Sequence, residues 1–255
     1  MKKQSIIYGI LGVTLSVFAV AAVSQIVTSA KSSPAAIADK TITPENVEEQ
    51  KAALEAVDPA DLQDGMTHDG VTLYHDEDSN LYRYDKSGKL IGLTKFADQD
   101  DASLPKLDEA ALRDYAEQYL GGLVADPARY TLEEFRADNG TYTAYWMARC
   151  CGYQTTDIVS ITMNPTGTLQ GYQMHHTGDF ADVTVTEAQI TEAIARAEAE
   201  ASSPDAVITK IDSADEVVLT HDESGRLLLN VGVSREVTSG ELTFTDANIS
   251  QVPVL

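Results

Sequence analysis

One pattern recurs three times along the chain, and it constrains the fold more than any other feature. Residues 42–47, 107–112 and 185–190 each begin with an apolar residue, continue with Thr or Asp and an acid, and end with a second apolar residue. Thr or Asp at this position caps a helix N-terminus, the apolar pair forms a staple, and acids favour the positive end of the helix dipole. The pattern therefore predicts three helices.

The second and third predicted helices are amphipathic. We expect the second to end at Gly121-Gly122, and in the third Thr186 and Gln189 match a capping box. The apolar face of the second helix carries Leu107, Ala111, Leu112, Tyr115, Tyr119 and Leu120, and that of the third carries Ile190, Ala193, Ile194 and Ala197.

Alternating apolar and polar residues, interrupted by turn residues, follow each helix. Clear examples are "GTYTAYWMARC" and "TTDIVSITM" after the second helix and "EVVLTHDESGRLLLNVGVSREV" after the third. A helix followed by an antiparallel meander predicts an α+β fold in which each sheet packs its apolar face on a helix.

These elements divide the chain into five predicted segments. Residues 1–30 form a signal peptide or transmembrane anchor, and residues 31–41 form a small, polar tether. Residues 42–100 are a partial first helix-plus-hairpin unit, whereas 101–181 and 182–255 are each predicted to be a complete helix-plus-sheet unit.

The N-terminal segment predicts where the rest of the chain lies. Lys2 and Lys3 precede an apolar run from Ile6 to Val23, and no charge occurs from Gln4 through Ala30. A run of this length can span a bilayer. We favour a retained, single-pass anchor in the cell membrane with the remainder outside the cytoplasm. Small residues at 19–21 and 28–30 leave open the alternative of signal cleavage and secretion.

The charge of the chain narrows the classes of partner. The formal net charge is -22 at pH 7. A surface of this sign repels nucleic acid and anionic lipid headgroups, so we expect no nucleic-acid partner. The interpretation we favour is a soluble exported protein whose copies repel one another, and the functional alternative is a cationic partner such as a basic peptide or divalent ions.

The second unit resembles a known family. "LDEAALRDYAEQYL", followed by "YTAYWMARCCGYQTTDIVSITMNPTGTLQGYQMH", is similar to the PepSY-type repeat of YcdB/YcdC-like exported proteins of Gram-positive bacteria. The resemblance spans about residues 70 to 235 and implies tandem cystatin-like units without an established catalytic motif. It rests on Arg149, Gly152, Asp157, Val159, Ile161, Met163, Gly167 and Tyr172. Two departures are the Cys-Cys pair before Gly152 and the absence of a clear counterpart of Arg149 in the last unit.

The motifs of common enzyme and metal sites do not occur in the sequence. It contains no G-x-S-x-G, and adjacent His175 and His176 would point to opposite faces of a strand rather than to one metal. The segment from Asp76 begins like an EF-hand loop but has Leu81 where Gly is needed and Ser87 where Glu is needed. We therefore predict no enzymatic activity, no metal site and no cofactor.

Aromatic residues around one predicted hairpin supply the candidate binding site. By strand alternation, Tyr142, Ala144 and Trp146 share the face that should meet the helix. Tyr145 and Arg149 then share the other face. With Tyr153, they form the predicted contact for a peptide or glycan, and edge strands of the sheet are a further route for an extended peptide.

Cys150 and Cys151 are the two cysteines of the chain, and they are adjacent. The sequence has no C-x-x-C motif and no third cysteine, so nothing in it supports redox or metal chemistry at this pair. We predict two reduced residues at the corner of the hairpin. A disulfide between adjacent residues, or one between molecules, remains the alternative in an oxidising compartment.

These observations favour a non-enzymatic, extracytoplasmic protein that binds a protein, peptide or cell-wall component. The family resemblance adds the modulation of a protease as the consequence of binding. The alternatives are a membrane-tethered structural spacer without a specific ligand and, less favoured, an envelope hydrolase.

Overall fold

The computed structural model describes residues 41–56, 65–68, 70–75, 79–95, 104–240 and 242–255. The predicted anchor at 1–30 and nearly all of the tether at 31–41 lie outside the described residues. Within the described ranges, no helix is long and apolar enough to cross a membrane.

Three α-helices are described: α1 spans Val47–Glu55, α2 spans Glu109–Leu123 and α3 spans Glu187–Ala201. The caps of α2 and α3 are confirmed. The Asp108 carboxylate accepts a hydrogen bond from the Ala111 N–H at 2.9 Å, and Thr186 and Gln189 form both halves of a capping box.

The prediction for the start of the first helix was wrong by several residues. The chain first makes a turn in which the Asn46 N–H donates to the Thr43 carbonyl at 3.2 Å. The Asn46 side chain also accepts from the Thr43 N–H at 2.9 Å. These bonds close a turn before α1, so Thr43 does not cap the helix.

Twelve strands are described, and together they form one mostly antiparallel sheet. Their bounds are β1 Met66–His68, β2 Val71–His75, β3 Leu81–Tyr84, β4 Leu90–Thr94, β5 Tyr130–Asp138, β6 Thr141–Cys150, β7 Tyr153–Met163, β8 Leu169–His175, β9 Ala206–Ile211, β10 Val218–His221, β11 Leu227–Ser239 and β12 Leu242–Pro253. The α+β class is confirmed. Strands β1, β5 and β9 were not predicted.

Strands β7 and β11 hold the sheet together, because each pairs with three other strands. The main strand order is β1-β2-β3-β4-β8-β7-β10-β11-β12. In addition, β6 pairs with β7, β5 pairs with β6, and β9 pairs with β11. Along one edge of β7, residues 158–163 pair with β8, and residues 154–155 pair in parallel with β10. The sheet is therefore continuous between the segments predicted as two units.

Two hydrophobic clusters lie on this sheet. The first gathers buried residues of α1, α2 and strands β2, β3, β4, β6, β7 and β8, including Leu112, Tyr119 and Trp146. The second gathers buried residues of α3, β10, β11 and β12, including Ile190 and Leu229. Each cluster places an amphipathic helix against the sheet, as the helix-plus-meander pattern predicts.

Gly121 and Gly122 do not end α2 as predicted, because both lie inside its last turn. A Cβ on Gly122 would lie 2.4 Å from Cγ1 of Val47, whereas a Cβ on Gly121 would meet nothing within 4 Å. Gly122 is therefore the point where α1 packs closely on α2, and Gly121 has no such role.

This difference predicts opposite effects of the same substitution at neighbouring positions. We expect Gly122→Ala to lower the free energy of unfolding by about 1–3 kcal/mol, because Val47 is buried and must move. We expect Gly121→Ala to raise it by up to about 1 kcal/mol through helix propensity. Urea denaturation of both variants measures the contrast. Equal effects would show that the contact with α1 does not limit the size of the side chain at position 122.

Candidate functional site

The residues of the predicted binding site lie in the hairpin of β6 and β7. Ala144 and Trp146 face the first hydrophobic cluster, so the predicted alternation is correct. Tyr145 is nevertheless 8% exposed rather than open to solvent. Its hydroxyl accepts a hydrogen bond from Nη2 of Arg136 at 2.8 Å, and the Arg136 guanidinium lies 5.0 Å from the centre of its ring.

The other two predicted binding residues also have protein partners. Arg149 is ion-paired with Glu133 at 3.0 Å and donates to the carbonyl of Gly152 at 3.3 Å. Tyr153 packs against the second hydrophobic cluster. The structure thus brings Arg149 and Tyr153 to the same hairpin end and places Tyr145 further along β6. Their role in binding remains a prediction.

Cys151 and Gly152 form the turn of this hairpin. Their φ angles are 53° and 88°, close to the 49° and 84° of Asn139 and Gly140 in the hairpin of β5 and β6. Consecutive positive φ angles are typical of the type I′ turn that joins two strands through two residues. Cys151 thus occupies a position that Asn and Gly normally fill.

The two thiols face the segment that leads to α3. Their sulfur atoms are 3.8 Å apart, and Cys151 Sγ lies 3.3 Å from the Val183 carbonyl oxygen. Burial, with the contact to Cys151, raises the pKa of the Cys150 thiol to about 11. A thiol of this pKa is protonated and weakly nucleophilic at neutral pH. The redox state of the pair remains a prediction.

The left-handed backbone at Cys151 generates a stability prediction. We expect Cys151→Val to lower the free energy of unfolding by about 1–2 kcal/mol, because a β-branched residue is strained there. Cys151→Asn also removes the thiol but tolerates this backbone, so we expect a change within about 1 kcal/mol. Equal losses in thermal unfolding of the two variants would contradict a role for backbone strain.

A polar junction lies where β7 divides its pairing between β8 and β10. Opposite Ala148, β7 has three consecutive buried polar residues, Thr155, Thr156 and Asp157, and the register with β6 shifts at this point. Thr155 donates to the Ala148 carbonyl at 2.9 Å, and Thr156 donates to the hydroxyl of Thr220 on β10 at 3.0 Å. These bonds satisfy groups that would otherwise be costly to bury.

Asp157 is at the centre of this junction and is fully buried. Its carboxylate accepts from the Thr177 N–H at 3.0 Å and contacts Nδ1 of His176 at 2.8 Å. The hydrogen bond to Asp157 raises the pKa of His176, and desolvation opposes it. Partial desolvation lowers the pKa of the neighbouring His175. The family resemblance includes Asp157, but the pairing with His176 was not predicted.

The raised pKa gives the His176–Asp157 pair a defined pH dependence. Its stabilisation is fully present below the unfolded histidine pKa of about 6.5 and is lost as the pH rises through the higher folded value. We therefore expect His176→Ala to lower the urea midpoint more at about pH 5 than at about pH 8.5. The exposed His75→Ala variant controls for the loss of an imidazole, and an equal effect of His176→Ala at both pH values would refute the pairing.

At the other end of the sheet, β12 presents a long open edge. All twelve of its residues pair with β11 without a register shift, and in the described part of the sheet no strand pairs with its outer side. Leu242, Phe244 and Ile249 on this strand are 74%, 52% and 51% exposed. The outer side therefore offers backbone groups and apolar side chains together.

The pairing register shows which backbone groups face outward. The Val254 N–H donates to the Leu227 carbonyl at 3.1 Å, and antiparallel pairs alternate between bonded and non-bonded. Even-numbered residues of β12 thus bond to β11, whereas odd-numbered residues from Thr243 to Gln251 direct their N–H and C=O outward. Pro253, which has no N–H, ends this series, and its carbonyl accepts from Arg196 at 2.6 Å.

Other edges in the described sheet carry features that hinder strand addition, and β12 largely lacks them. Strand β1 has three residues, β5 has a register shift near Glu133, and β9 has both a register shift and Lys210. Short strands, bulges and lysines are common protections of an edge. Strand β12 contains no lysine or arginine, and Asp246, its single charge, is paired with Arg235 at 2.8 Å.

Comparison with solved structures shows a distant likeness in fold. No family model matches the chain, and no curated protein matches it. Among solved structures, the chain is similar to the Bacillus megaterium YpeB C-terminal domain, with a TM-score of 0.37 and 10% sequence identity. The match covers 84% of this chain and 99% of that domain. A likeness at this distance carries no inference about function.

Proposed function

We propose that the chain is a non-enzymatic, PepSY-like module protein that is held outside a membrane by residues 1–30 and binds a protein or cell-envelope component. Binding occurs by strand addition, with the partner contributing an extended segment to the outer edge of β12. Modulation of a protease is the consequence of binding that the family resemblance suggests.

The observation that carries this proposal is the unpaired edge from Thr243 to Gln251. It combines outward N–H and C=O groups with exposed apolar side chains and a regular register. Strand addition uses main-chain hydrogen bonds for affinity and alternate side chains for specificity. Lys2, Lys3 and the apolar run that follows them support the location outside the membrane.

A substitution at the middle of this edge tests the proposal. Ala247 is exposed, and its N–H points outward, so Ala247→Pro removes one donor of the edge and leaves the pairing with β11 intact. Ala247→Val, the matched control, keeps the N–H. We expect full-length protein to cross-link to an envelope partner in native cells, and we expect this product to persist in Ala247→Val and disappear in Ala247→Pro.

The outcome separates the binding protein from the structural spacer. Both variants must first retain the thermal unfolding midpoint of the original chain. A spacer would give no cross-linked product that depends on the Ala247 N–H. A product that persists equally in both variants would show that any binding uses another surface, and the β12 proposal would then be wrong.

A further inference from the structure

The segment that contains β12 is strongly acidic. Residues 182–255 contain fourteen Asp and Glu residues but four Lys and Arg residues. Each of these four cations already has a partner, because Lys210, Arg226 and Arg235 contact carboxylates and Arg196 contacts the Pro253 carbonyl. The charge that remains available to an incoming segment is therefore negative.

Acidic side chains lie beside both faces of the edge. On the face that carries α3, a carboxylate oxygen of Glu200 lies 3.5 Å from the hydroxyl of Ser250. On the opposite face, Glu236 of β11 is directly across from Thr245 of β12 and is exposed. A strand added at the outer side would place its side chains within reach of these acids, since neighbouring strands lie about 4.8 Å apart.

The edge is apolar at the end that is remote from α3. Phe244 pairs with Val237 of β11, and Leu242 lies two residues away on the same face. Both side chains are more than half exposed. An incoming strand that alternates apolar and charged residues can therefore bury its apolar side chains here, on the face of α3, and direct its charged ones to the opposite face, near Glu236.

We propose that the partner segment at β12 is an extended stretch of another protein that alternates Lys or Arg with apolar residues. This inference rests on the proposed function and adds the chemistry of the partner. The backbone of the segment bonds to the odd-numbered residues from Thr243 to Gln251, its apolar side chains lie on the face of Phe244, and its cationic side chains lie on the face of Glu236. Charge complementarity selects a basic segment over an acidic one.

The same charges argue against a second copy of this chain as the occupant. Pairing two β12 edges would bring two acidic surfaces together, and the complete chain carries -22. Like charges across an interface repel and suppress such an association. A basic partner gains attraction from the same field.

The test uses full-length protein and a labelled peptide of about ten residues that alternates Lys and Val. In fluorescence anisotropy we expect this peptide to bind saturably and to lose affinity as salt is added. A peptide that alternates Glu and Val should bind at least about tenfold more weakly. N-methylation of alternate peptide residues on the edge that faces β12 should abolish binding, because it removes donors of the added strand.

Protein variants locate the binding. We expect Ala247→Pro to weaken peptide binding at least about tenfold and Ala247→Val to stay within about twofold. Glu236→Gln should weaken it about two- to fivefold at low salt, as expected for an exposed charge, whereas Glu200→Gln, on the face of the apolar side chains, should have a smaller effect. Glu117→Gln, on the exposed side of α2, is the matched control and should have no effect.

The possible results separate this inference from the function on which it rests. Equal binding of the Lys and Glu peptides, or binding that N-methylation leaves intact, would overturn a basic strand as partner. A dimer that Ala247→Pro abolishes would identify a second copy as the occupant and would also overturn it. If an envelope partner depends on the Ala247 N–H but the Lys peptide neither binds nor competes, the proposed function stands and this inference fails.

Discussion

A β-strand has two edges, and the architecture depends on how β7 uses them. One edge pairs with β6, while the other pairs with β8 at one end and with β10 at the other. At this division the pairing of β7 with β6 has a break in register, and polar residues 155–157 are buried there. Hydrogen bonds to Ala148, Thr220, His176 and Thr177 satisfy them. Without these partners, the continuity between the two hydrophobic clusters would cost the desolvation of several polar groups.

The location of the candidate site follows from this junction. Because β10 joins β7, β11 continues the sheet beyond the first cluster, and β12 becomes its outermost described strand on that side. Helix α3 covers one face of β11 and β12 but contacts the edge through few groups, such as Arg196 at Pro253. The helix stabilises the strand while its outer backbone groups remain available. A strand that is already paired along its whole length needs little ordering when a partner binds.

The local parts of this fold could be predicted from sequence, whereas its long-range pairings could not. Caps at Asp108 and Thr186 depend on residues three positions away, and alternation placed Trp146 on the core face correctly. In contrast, the role of Gly122 depends on Val47, and that of Asp157 depends on His176, neither of which is a neighbour in sequence. The candidate edge was missed for the same reason. The sequence of β12 indicates a strand, but only the strand order reveals that one side has no described partner.

An open, regular edge normally exposes a protein to aggregation, and here the charge of the chain supplies the protection that β12 itself lacks. Repulsion between copies acts over about 10 Å at moderate ionic strength, which exceeds the spacing between paired strands. Two β12 edges therefore meet an unfavourable field before their backbones can bond. The same field attracts a cationic segment over the same range. Lysines on β12 would block self-association locally, but they would also repel a basic partner. Acids beside the edge oppose self-association and at the same time attract a basic partner.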